Sequence, residues 1–330
     1  MELKKIMRFL LGIDIGGTKI GIGLGDESGK LYGSRYRDNR DSDPAEILPW
    51  IVEEAKVLAA EAQITINDVA AFGISAPFPA DAAKGIMTCP TNQPKWRNVP
   101  ILDYLKEHLG IDGCFENDAN CAALAEWFFG AGRGCSDFIY LTMSTGIGGG
   151  IIAGNKLIRG GKALSAGELG HVCIQLNGRP CSCGMHGCYE AYCGGRALAK
   201  RMAEELADQP DSMIMKLAAE PGKPDMRTLE AAVRANDPYA VKLWEEMSLR
   251  NAQAIGMYIN VFNPQRIVLG TLAWAVGELY TKPIFDALPG FCWEEPRKAC
   301  EIVCSELKRE ISSYAGIAAA LNYLNEKENV

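Results

Sequence analysis

The sequence contains no long apolar run and no block of basic residues. A membrane-spanning helix needs about 20 predominantly apolar residues in succession, and no uncharged apolar stretch of this chain approaches that length. Acidic residues outnumber basic ones by 41 to 34, which gives a formal net charge of −7. These absences argue against a membrane-spanning protein. They also argue against binding of nucleic acid or anionic membranes through charge.

The N-terminus lacks the pattern of a secretory signal peptide. Basic residues are followed by only a short apolar run, residues 9–13, and Asp14 ends that run before any small-residue cleavage site. The run is therefore predicted to be a first β-strand. A chain of 330 residues with 48% hydrophobic residues needs no disulfide staples, so its 12 cysteines are expected to be free thiols or metal ligands. We expect a reducing, cytoplasmic location.

The spacing of apolar and turn residues predicts an α/β protein built from two related halves. A strand, a glycine-rich turn and a second strand occur near residues 14–24 and again near residues 139–153. Residues 76–100 are rich in proline and polar side chains, which is typical of a long functional loop. Helical spacing marks three further stretches, residues 190–206, 228–261 and 312–324.

Two glycine-rich turns are candidates for binding a phosphate. The first lies in residues 14–19 (D-I-G-G-T-K) and the second in residues 144–150 (S-T-G-I-G-G-G). Glycine lets the backbone approach an anion closely, and Asp14 offers a carboxylate for hydrated Mg²⁺. Neither turn is a Walker A loop or a Rossmann fingerprint, because each opens a hairpin instead of a helix. Either turn alone is equally consistent with an ordinary hairpin, whereas two together favour a common ligand.

Residues 116–120 (E-N-D-A-N) lie where a strand gives way to a helix. Asp118 is there either a helix cap, the commoner role of Asp and Asn at such a place, or a general base. The second role suits phosphoryl transfer, in which the transition state is loose and the proton of the attacking alcohol leaves late. Asn117 is a candidate for orienting a substrate hydroxyl.

Five cysteines crowd between residues 173 and 193. A histidine and three thiolates in so short a stretch are typical of a closed, tetrahedral, structural Zn²⁺ site. The candidate ligands are His171, Cys181, Cys183 and Cys188, and the spares are Cys173, His186 and Cys193. Spacing alone leaves the choice open, and a redox pair or unrelated thiols are the alternative. Glu168 and Glu190 flank the cluster and would suit the hydroxyls of a sugar.

Two stretches carry a family resemblance, G-E-L-G-H at residues 167–171 and C-S-C-G-M-H-G-C-Y-E at residues 181–190. Together with the glycine turns, they resemble the ROK family of sugar kinases and regulators, within the actin-like, hexokinase-like ATPase superfamily. The resemblance covers about residues 8–324. It implies an α/β, two-domain, actin-like (ribonuclease H-like) ATPase fold with an interdomain cleft and a zinc knuckle.

The resemblance implies a small α/β domain of residues 1–118 plus 310–330. The implied large domain spans residues 119–309 and includes a zinc-binding segment, residues 171–188. In such kinases the sugar lies deep in the cleft and MgATP contacts both glycine turns. The implied cofactors are ATP, Mg²⁺ and structural Zn²⁺.

The resemblance also assigns roles to individual residues. Asp118 would be the catalytic general base on the sugar 6-hydroxyl. The implied zinc ligands are His171, Cys181, Cys183 and Cys188. The residues that align with sugar ligands are Asn92, Asn117, Asp118, Glu168, His171 and Glu190. Those that align with ATP and phosphate ligands are Asp14, Gly16, Gly17, Thr18, Lys19, Thr145, Gly146, Gly148 and Gly149.

The implied activity is ATP-dependent phosphorylation of the 6-hydroxyl of a hexose. Glucose is the first candidate, which would make the protein a glucokinase. N-acetylglucosamine, N-acetylmannosamine, fructose and allose are the alternatives. The implied partners are sugar and ATP, together with a second copy in a homodimer.

An alternative of another class is a sugar-binding regulator without kinase activity. Its support is the segment G-T-L-A-W at residues 270–274, where the family usually has a glycine run beside adenosine. A repressor of this family would need an N-terminal DNA-binding domain. We expect none, because the first strand begins near residue 8.

Overall fold

The computed structural model of the chain describes residues 7–88 and 95–328. The elements up to residue 134 are β1 (Phe9–Ile15), β2 (Lys19–Asp26), β3 (Leu31–Asp38), α1 (Pro44–Glu61), β4 (Val69–Ala76), β5 (Ala80–Asp81), β6 (Ile86–Met87), α2 (Ile101–Leu109), β7 (Gly113–Asn117) and α3 (Asp118–Phe129). Those that follow are β8 (Phe138–Met143), β9 (Ile147–Ala153), β10 (Lys156–Leu157), α4 (Glu190–Cys193), α5 (Gly195–Glu205), α6 (Met213–Leu217), α7 (Met226–Arg234), α8 (Pro238–Phe262), β11 (Arg266–Leu269), α9 (Thr271–Val276), α10 (Glu278–Ala287), α11 (Glu294–Ala299), β12 (Glu301–Cys304) and α12 (Ile311–Glu328). None of the helices in the described ranges has both the length and the apolar character of a membrane span.

The chain divides into two compact units. The first consists of residues up to 134, residues 157–166 and the chain from residue 306 onward. The second consists of residues 135–156 and 167–305. The predicted domain boundary after residue 118 lies inside the first unit, because α3 packs against α12.

Each unit contains a five-stranded mixed sheet, and the two sheets have related strand orders. The first is β3-β2-β1-β4-β7 and the second is β10-β9-β8-β11-β12. In the first sheet β1 and β2 form an antiparallel hairpin, while β4 and β7 extend the sheet in parallel with β1. In the second sheet β8 and β9 form the hairpin, and β11 and β12 extend it in parallel with β8. The repeated strand, turn, strand pattern of the sequence corresponds to these two hairpins.

Helix α12 packs directly on the backbone of the first sheet. Alternate residues of β1 face opposite sides, so Leu10 lies in a core with Ile317 of α12, whereas Leu11 lies in the larger core of the other face. Glycines permit the close approach of helix and sheet. A Cβ placed on Gly316 would lie 2.6 Å from the carbonyl oxygen of Gly73 and 2.7 Å from the Cα of Gly12.

The structure corrects the predicted helix over residues 228–261, which is two helices, α7 and α8. The chain turns at Asn236, whose φ of 58° lies in the left-handed region. Asp237 then caps α8 by accepting a hydrogen bond from the Ala240 amide, and Pro238 occupies the first turn. The signal for this break was present in the sequence, because Asp before Pro is typical of a helix start.

Two other expectations need correction. The predicted helix over residues 190–206 divides at Gly194 into α4 and α5. The predicted loop over residues 76–100 contains a short hairpin of β5 and β6. Helix α1 begins at Pro44 and continues through Pro49.

We expect Gly316→Ala to destabilise the protein. Overpacking of a filled contact costs about 1–3 kcal/mol, which outweighs the gain of about 1 kcal/mol from replacing a helical glycine by alanine. Thermal unfolding of the variant measures the effect. Gly290→Ala is a matched control, because a Cβ at Gly290 meets no atom within 4 Å. A Gly316→Ala variant as stable as the wild type would show that the helix does not lie so close to the sheet.

Candidate functional site

The carboxyl ends of β1, β4 and β7 bring two predicted residues together at one edge of the first sheet. Asp14 ends β1 opposite Ser75 of β4, and the Ser75 hydroxyl donates a hydrogen bond of 2.7 Å to the Asp14 carboxylate. Burial raises the pKa of Asp14 from 3.8 to about 6. The Ser75 hydrogen bond and the Lys19 charge oppose that rise, and the negative charge of Asp118 adds to it. Asp14 and Asp118 therefore lie close enough to interact.

The cap of helix α3 is Asn117. Its side-chain oxygen accepts hydrogen bonds from the amides of Ala119 (2.9 Å) and Asn120 (3.2 Å). Asp118 is the first helical residue, and its carboxylate also accepts from the Ala119 amide, at 2.8 Å. Asn117 is therefore the cap residue, and the role of Asp118 as a general base stays a prediction. The side-chain amide of Asn117 remains as its donor toward a ligand.

A buried ion pair fixes the junction between β7 and α3. Glu116, which is 3% exposed, accepts from the Asn117 amide (3.0 Å) and from the side chain of Asn120 (2.9 Å). Its other oxygen lies 2.5 Å from Nε of Arg159, which also pairs with Glu326 at 2.7 Å. Arg159 was not predicted from the sequence. The Glu116 carboxylate, next to the predicted end of a strand, was the available signal, since a buried charge requires a partner.

Asn39 anchors the first glycine turn through two hydrogen bonds. This residue is 1% exposed. Its side chain donates to the Gly16 carbonyl (2.6 Å), and its amide donates to the Thr18 carbonyl (2.9 Å). The Ser42 hydroxyl donates to the Asn39 side chain, and the Trp96 indole donates to Ser42 at 3.3 Å. Asn39 was also missed, because nothing in the local pattern links it to a turn 23 residues away.

The turn that Asn39 holds offers free donors. The amides of Gly17 and Thr18 have no hydrogen-bond partner within the described ranges, and the Thr18 side of the turn is exposed. The ammonium of Lys19 lies 3.3 Å from the centre of the Tyr36 ring, in a cation–π contact. Lys19 is therefore held beside the turn by an aromatic ring.

The second turn, defined here as residues 144–146, connects β8 and β9. The carbonyls of Ser144 and Thr145 accept hydrogen bonds from the amides of Gly195 (2.9 Å) and Arg196 (2.8 Å) at the start of α5. The Ser144 amide donates to the Gly146 carbonyl at 3.0 Å. In the described part of the chain the amides of Thr145 and Gly146 have no partner, so two adjacent donors are available to an anion.

Two other glycines predicted to contact phosphate lie in the strand that follows. Gly148 and Gly149 belong to β9, opposite Thr142 and Leu141 of β8. A Cβ at Gly149 would lie 2.6 Å from a methyl group of Leu169. The structure thus gives Gly149 a packing role.

Four of the predicted metal-ligand atoms form one cluster. The ligand atoms of His171, Cys181, Cys183 and Cys188 all lie within 4.8 Å of one another. The Cys183 and Cys188 sulfurs are 3.7 Å apart, and the Cys181 sulfur is 3.6 Å from Nδ1 of His171. A tetrahedral site with Zn–S bonds of about 2.3 Å separates two sulfurs by about 3.8 Å. The donor set and spacing therefore fit Zn²⁺.

The spare candidates lie outside this cluster. Cys193 is buried and donates to the Met247 carbonyl at 3.5 Å, and neither Cys173 nor His186 joins the described group of metal-binding side chains. Gly184 and Gly187 provide the sharp turns around the cluster, with φ values of 91° and 77°. Since Nδ1 of His171 faces the cluster, its Nε2 is the nitrogen left for a second partner.

The two flanking glutamates differ in their surroundings. Burial raises the pKa of Glu168. The nearby His171 opposes this rise, and the charge of Glu190 adds to it. The Glu168 carboxylate accepts no hydrogen bond from the described residues and is available to a ligand. Glu190 instead accepts a hydrogen bond of 2.8 Å from the Ile147 amide. Asn92, the remaining predicted sugar ligand, lies outside the described residues.

The pKa of Asp14 predicts a pH-dependent stability. Since the folded-state pKa lies above the usual 3.8, the folded protein holds this proton more tightly than the unfolded chain. That contribution is present below pH 4 and is lost as the pH rises through about 6, with an upper bound of about 3 kcal/mol. Urea unfolding of the wild type and of Asp14→Asn between pH 4 and 7 measures it. The wild type should lose stability relative to the variant, and parallel curves would contradict the raised pKa.

The cysteine cluster predicts a bound metal. We expect about one zinc per wild-type chain and a large loss of zinc in Cys183→Ser, because a structural site needs all four ligands. Elemental analysis of the purified proteins measures both values. Cys173→Ser is the matched control and should keep its metal. Equal zinc in Cys183→Ser and in the wild type would refute the ligand set.

Comparisons with known proteins agree with these features. The ROK family model matches residues 10–322. The glucokinase of Thermotoga maritima is 32% identical over 318 residues, which cover 96% of this chain and 98% of that protein. A xylose repressor of Caldicellulosiruptor bescii is 26% identical over 289 residues, covering 87% of this chain and 72% of the repressor.

Solved structures show the same fold. The ROK hexokinase of Thermus thermophilus is 30% identical, with a TM-score of 0.83 and coverage of 97% of this chain and 99% of that one. A ROK family glucokinase of Streptomyces griseus, in complex with glucose and AMPPNP, is 31% identical, with a TM-score of 0.71 and coverage of 96% and 98%. These likenesses confirm the predicted α/β fold class and the resemblance to glucokinase-like sugar kinases. This chain belongs to the ROK family.

Proposed function

We propose that this protein is an ATP-dependent kinase that phosphorylates the 6-hydroxyl of a hexose, with glucose as the first candidate substrate. The observation that carries the proposal is the pairing of Asp14 and Asp118 at the sheet edge, with the free amides of Gly17 and Thr18 in the turn that directly follows Asp14. Phosphoryl transfer needs a proton acceptor, a carboxylate for the metal ion and donors for the phosphate oxygens. The glucokinase relatives support the same activity.

In this proposal Asp118 accepts the proton of the 6-hydroxyl as that oxygen attacks the γ-phosphorus of ATP. The bond from phosphorus to the sugar oxygen forms, the bond to the bridging oxygen of ADP breaks, and the proton ends on the Asp118 carboxylate. The side-chain amide of Asn117 orients the hydroxyl. Glu116 and Arg159 keep both residues in place through the junction of β7 and α3.

The phosphates are held by backbone amides. The free donors are those of Gly17 and Thr18 in the first turn and of Thr145 and Gly146 in the second. Mg²⁺, when bound with ATP, neutralises charge that develops on the transferring phosphoryl group. Asp14 serves this ion in its ionised form, which predominates above pH about 6.

The sugar is proposed to contact Asn92, Asn117, Asp118, Glu168, His171 and Glu190. Glu168 is the best supported of the carboxylates, because it is partly buried and accepts no hydrogen bond within the described ranges. Zn²⁺ bound by His171 and the three cysteines would fix the imidazole, so that Nε2 faces a sugar oxygen. With all four ligands supplied by the protein, such an ion would have a structural role and no open position for a reacting water.

The alternative within the same chemistry is another hexose or an acetamido sugar as acceptor. The alternative of another class is a sugar-binding regulator, which the match to the xylose repressor supports. In the structure, the segment G-T-L-A-W begins at Gly270, the cap residue of helix α9, and continues into that helix. We also propose that the protein acts in the cytoplasm as a homodimer.

The decisive variant for the reaction is Asp118→Asn. Removing a general base costs roughly 10²–10⁴-fold in rate, so we expect kcat to fall by that factor while the Kd for sugar changes little. Steady-state kinetics and calorimetric sugar binding measure the two quantities. Asp103→Asn, an acidic residue in the first turn of α2, is the matched control and should keep full activity. A kcat near the wild-type value in Asp118→Asn would contradict the assignment of the base.

The acceptor is identified by sugar-dependent ADP release across a panel of hexoses and acetamido-hexoses with Mg²⁺ and ATP. Release that depends on glucose alone supports a glucokinase, and release with another sugar reassigns the substrate. No release with any sugar, while zinc and sugar still bind, would favour the regulator.

A further inference from the structure

The second turn is held in place by three consecutive peptide groups, each fixed by a different partner. The peptides that begin at Ser144 and Thr145 direct their carbonyls to the amides of Gly195 and Arg196 in α5. A trans peptide is planar, and its N–H and C=O point in opposite directions. The free N–H groups of Thr145 and Gly146 are therefore both directed away from α5.

In the third peptide, between Gly146 and Ile147, both the carbonyl and the N–H group have hydrogen-bond partners. Its carbonyl accepts from the Ser144 amide at 3.0 Å, and its N–H donates to a carboxylate oxygen of Glu190 at 2.8 Å. Glu190 is the one side chain among these partners, because all the others are backbone groups. We infer that Glu190 is a positioning residue for the second turn, and that the affinity for nucleotide depends on its hydrogen bond to Ile147.

The carboxylate of Glu190 packs tightly beneath the turn. A Cβ at Gly146 would lie 2.5 Å from the same Glu190 oxygen, and a Cβ at Gly194 would lie 2.8 Å from Cγ of Glu190 and 3.5 Å from Cα of Gly146. A side chain at either position would therefore require Glu190 to move. The backbone of Glu190 also starts α4, and its carbonyl accepts from the Gly194 amide at 2.9 Å. The side chain and backbone of Glu190 thus link the turn to the segment that leads into α5.

This role is separate from the proposed contact of Glu190 with sugar. The oxygen bound to Ile147 is committed to the turn, and the other oxygen accepts a longer hydrogen bond of 3.3 Å from the Ser182 hydroxyl. A negative charge at this place would also repel a phosphate, so the turn requires an acceptor there but not a charge. Glutamine supplies the same acceptor without the charge. The inference therefore predicts that Gln preserves nucleotide binding and Ala does not.

The position of Glu190 also links the turn to the metal-binding cluster. Glu190 follows the ligand Cys188 by two residues, and Tyr189 between them donates to Asn251 at 2.5 Å from a buried site. Asn251 donates in turn to the Tyr280 hydroxyl at 3.1 Å, and that hydroxyl contacts the Met143 sulfur at the end of β8. The cluster and the turn are thus joined on both sides by hydrogen-bonded contacts within the second unit.

The test measures binding of MgAMPPNP by calorimetry, without sugar, in the wild type, Glu190→Ala and Glu190→Gln. We expect Glu190→Ala to weaken binding at least tenfold and Glu190→Gln to stay within about threefold of the wild type, because one hydrogen bond to a charged acceptor is lost in the first and replaced in the second. Glu245→Ala is the control, because this exposed carboxylate of helix α8 has no proposed role in binding, and it should leave nucleotide binding unchanged. Equal affinity in Glu190→Ala and wild type would overturn the inference, as would equal losses in both Glu190 variants.

Hydrogen exchange gives a second readout that needs no ligand. The peptide covering residues 144–150 should exchange faster in Glu190→Ala than in the wild type, and at the wild-type rate in Glu190→Gln. Unchanged exchange in Glu190→Ala would also overturn the inference. Zinc content and thermal unfolding confirm that each variant is folded. If Glu190→Ala does not fold, Glu190→Asp replaces it in both tests, because the shorter side chain withdraws the carboxylate from Ile147 by one methylene.

The inference relies on the proposed function only for the identity of the ligand as a nucleotide. The two fail in different ways. Failure of the proposed function shows as the absence of sugar-dependent ADP release in the wild type. Failure of the Glu190 inference shows as wild-type exchange and wild-type nucleotide affinity in Glu190→Ala. That outcome can be recognised whether or not the wild type has kinase activity.

Discussion

Two short turns can offer N–H groups to an anion only because their carbonyl groups are held elsewhere. In the first unit Asn39 binds the carbonyls of Gly16 and Thr18. In the second unit the start of α5 binds the carbonyls of the second turn, and Glu190 fixes the peptide that follows. Both turns are thus ordered before a ligand binds. A glycine turn without such anchors would lose conformational entropy on binding, which would weaken the affinity.

The chemistry proposed for the first unit depends on how its parallel strands end. Because β1, β4 and β7 run in the same direction, Asp14 and the residues after Glu116 meet at one edge of the sheet. Burial at this edge is the main cause of the raised pKa of Asp14, and the negative charge of Asp118 adds to it. Arg159 offsets the charge of Glu116 from the opposite side of the junction. A single edge thus holds the proposed proton acceptor, the carboxylate proposed for the metal ion and the scaffold that orients both.

Much of the fold and of the site could be predicted from local patterns, because those patterns follow from backbone periodicity and from the chemistry of single residue types. The two hairpins, the placement of Asp118 at the start of α3 and the crowding of cysteines near His171 belong to this group. Spacing left the choice of metal ligands open, and the resemblance selected the four residues that cluster in the structure. Asn39 and Arg159 could not be predicted, since each acts on residues distant in sequence. Glu190 was assigned to sugar by resemblance, whereas its contact with Ile147 arises only from the three-dimensional packing. The break at Asn236 was predictable from Asp237 before Pro238, but it was missed because helical periodicity continues on both sides.

The most direct test of the two anchored turns is backbone amide NMR of the protein titrated with MgAMPPNP. The resonances of Gly17, Thr18, Thr145 and Gly146 should shift together and saturate at one nucleotide concentration, because their N–H groups are the free donors of the two turns. The amide of Ile147 should shift less, since Glu190 already holds it. Saturating nucleotide that leaves the four turn amides unshifted would contradict the proposed role of both turns.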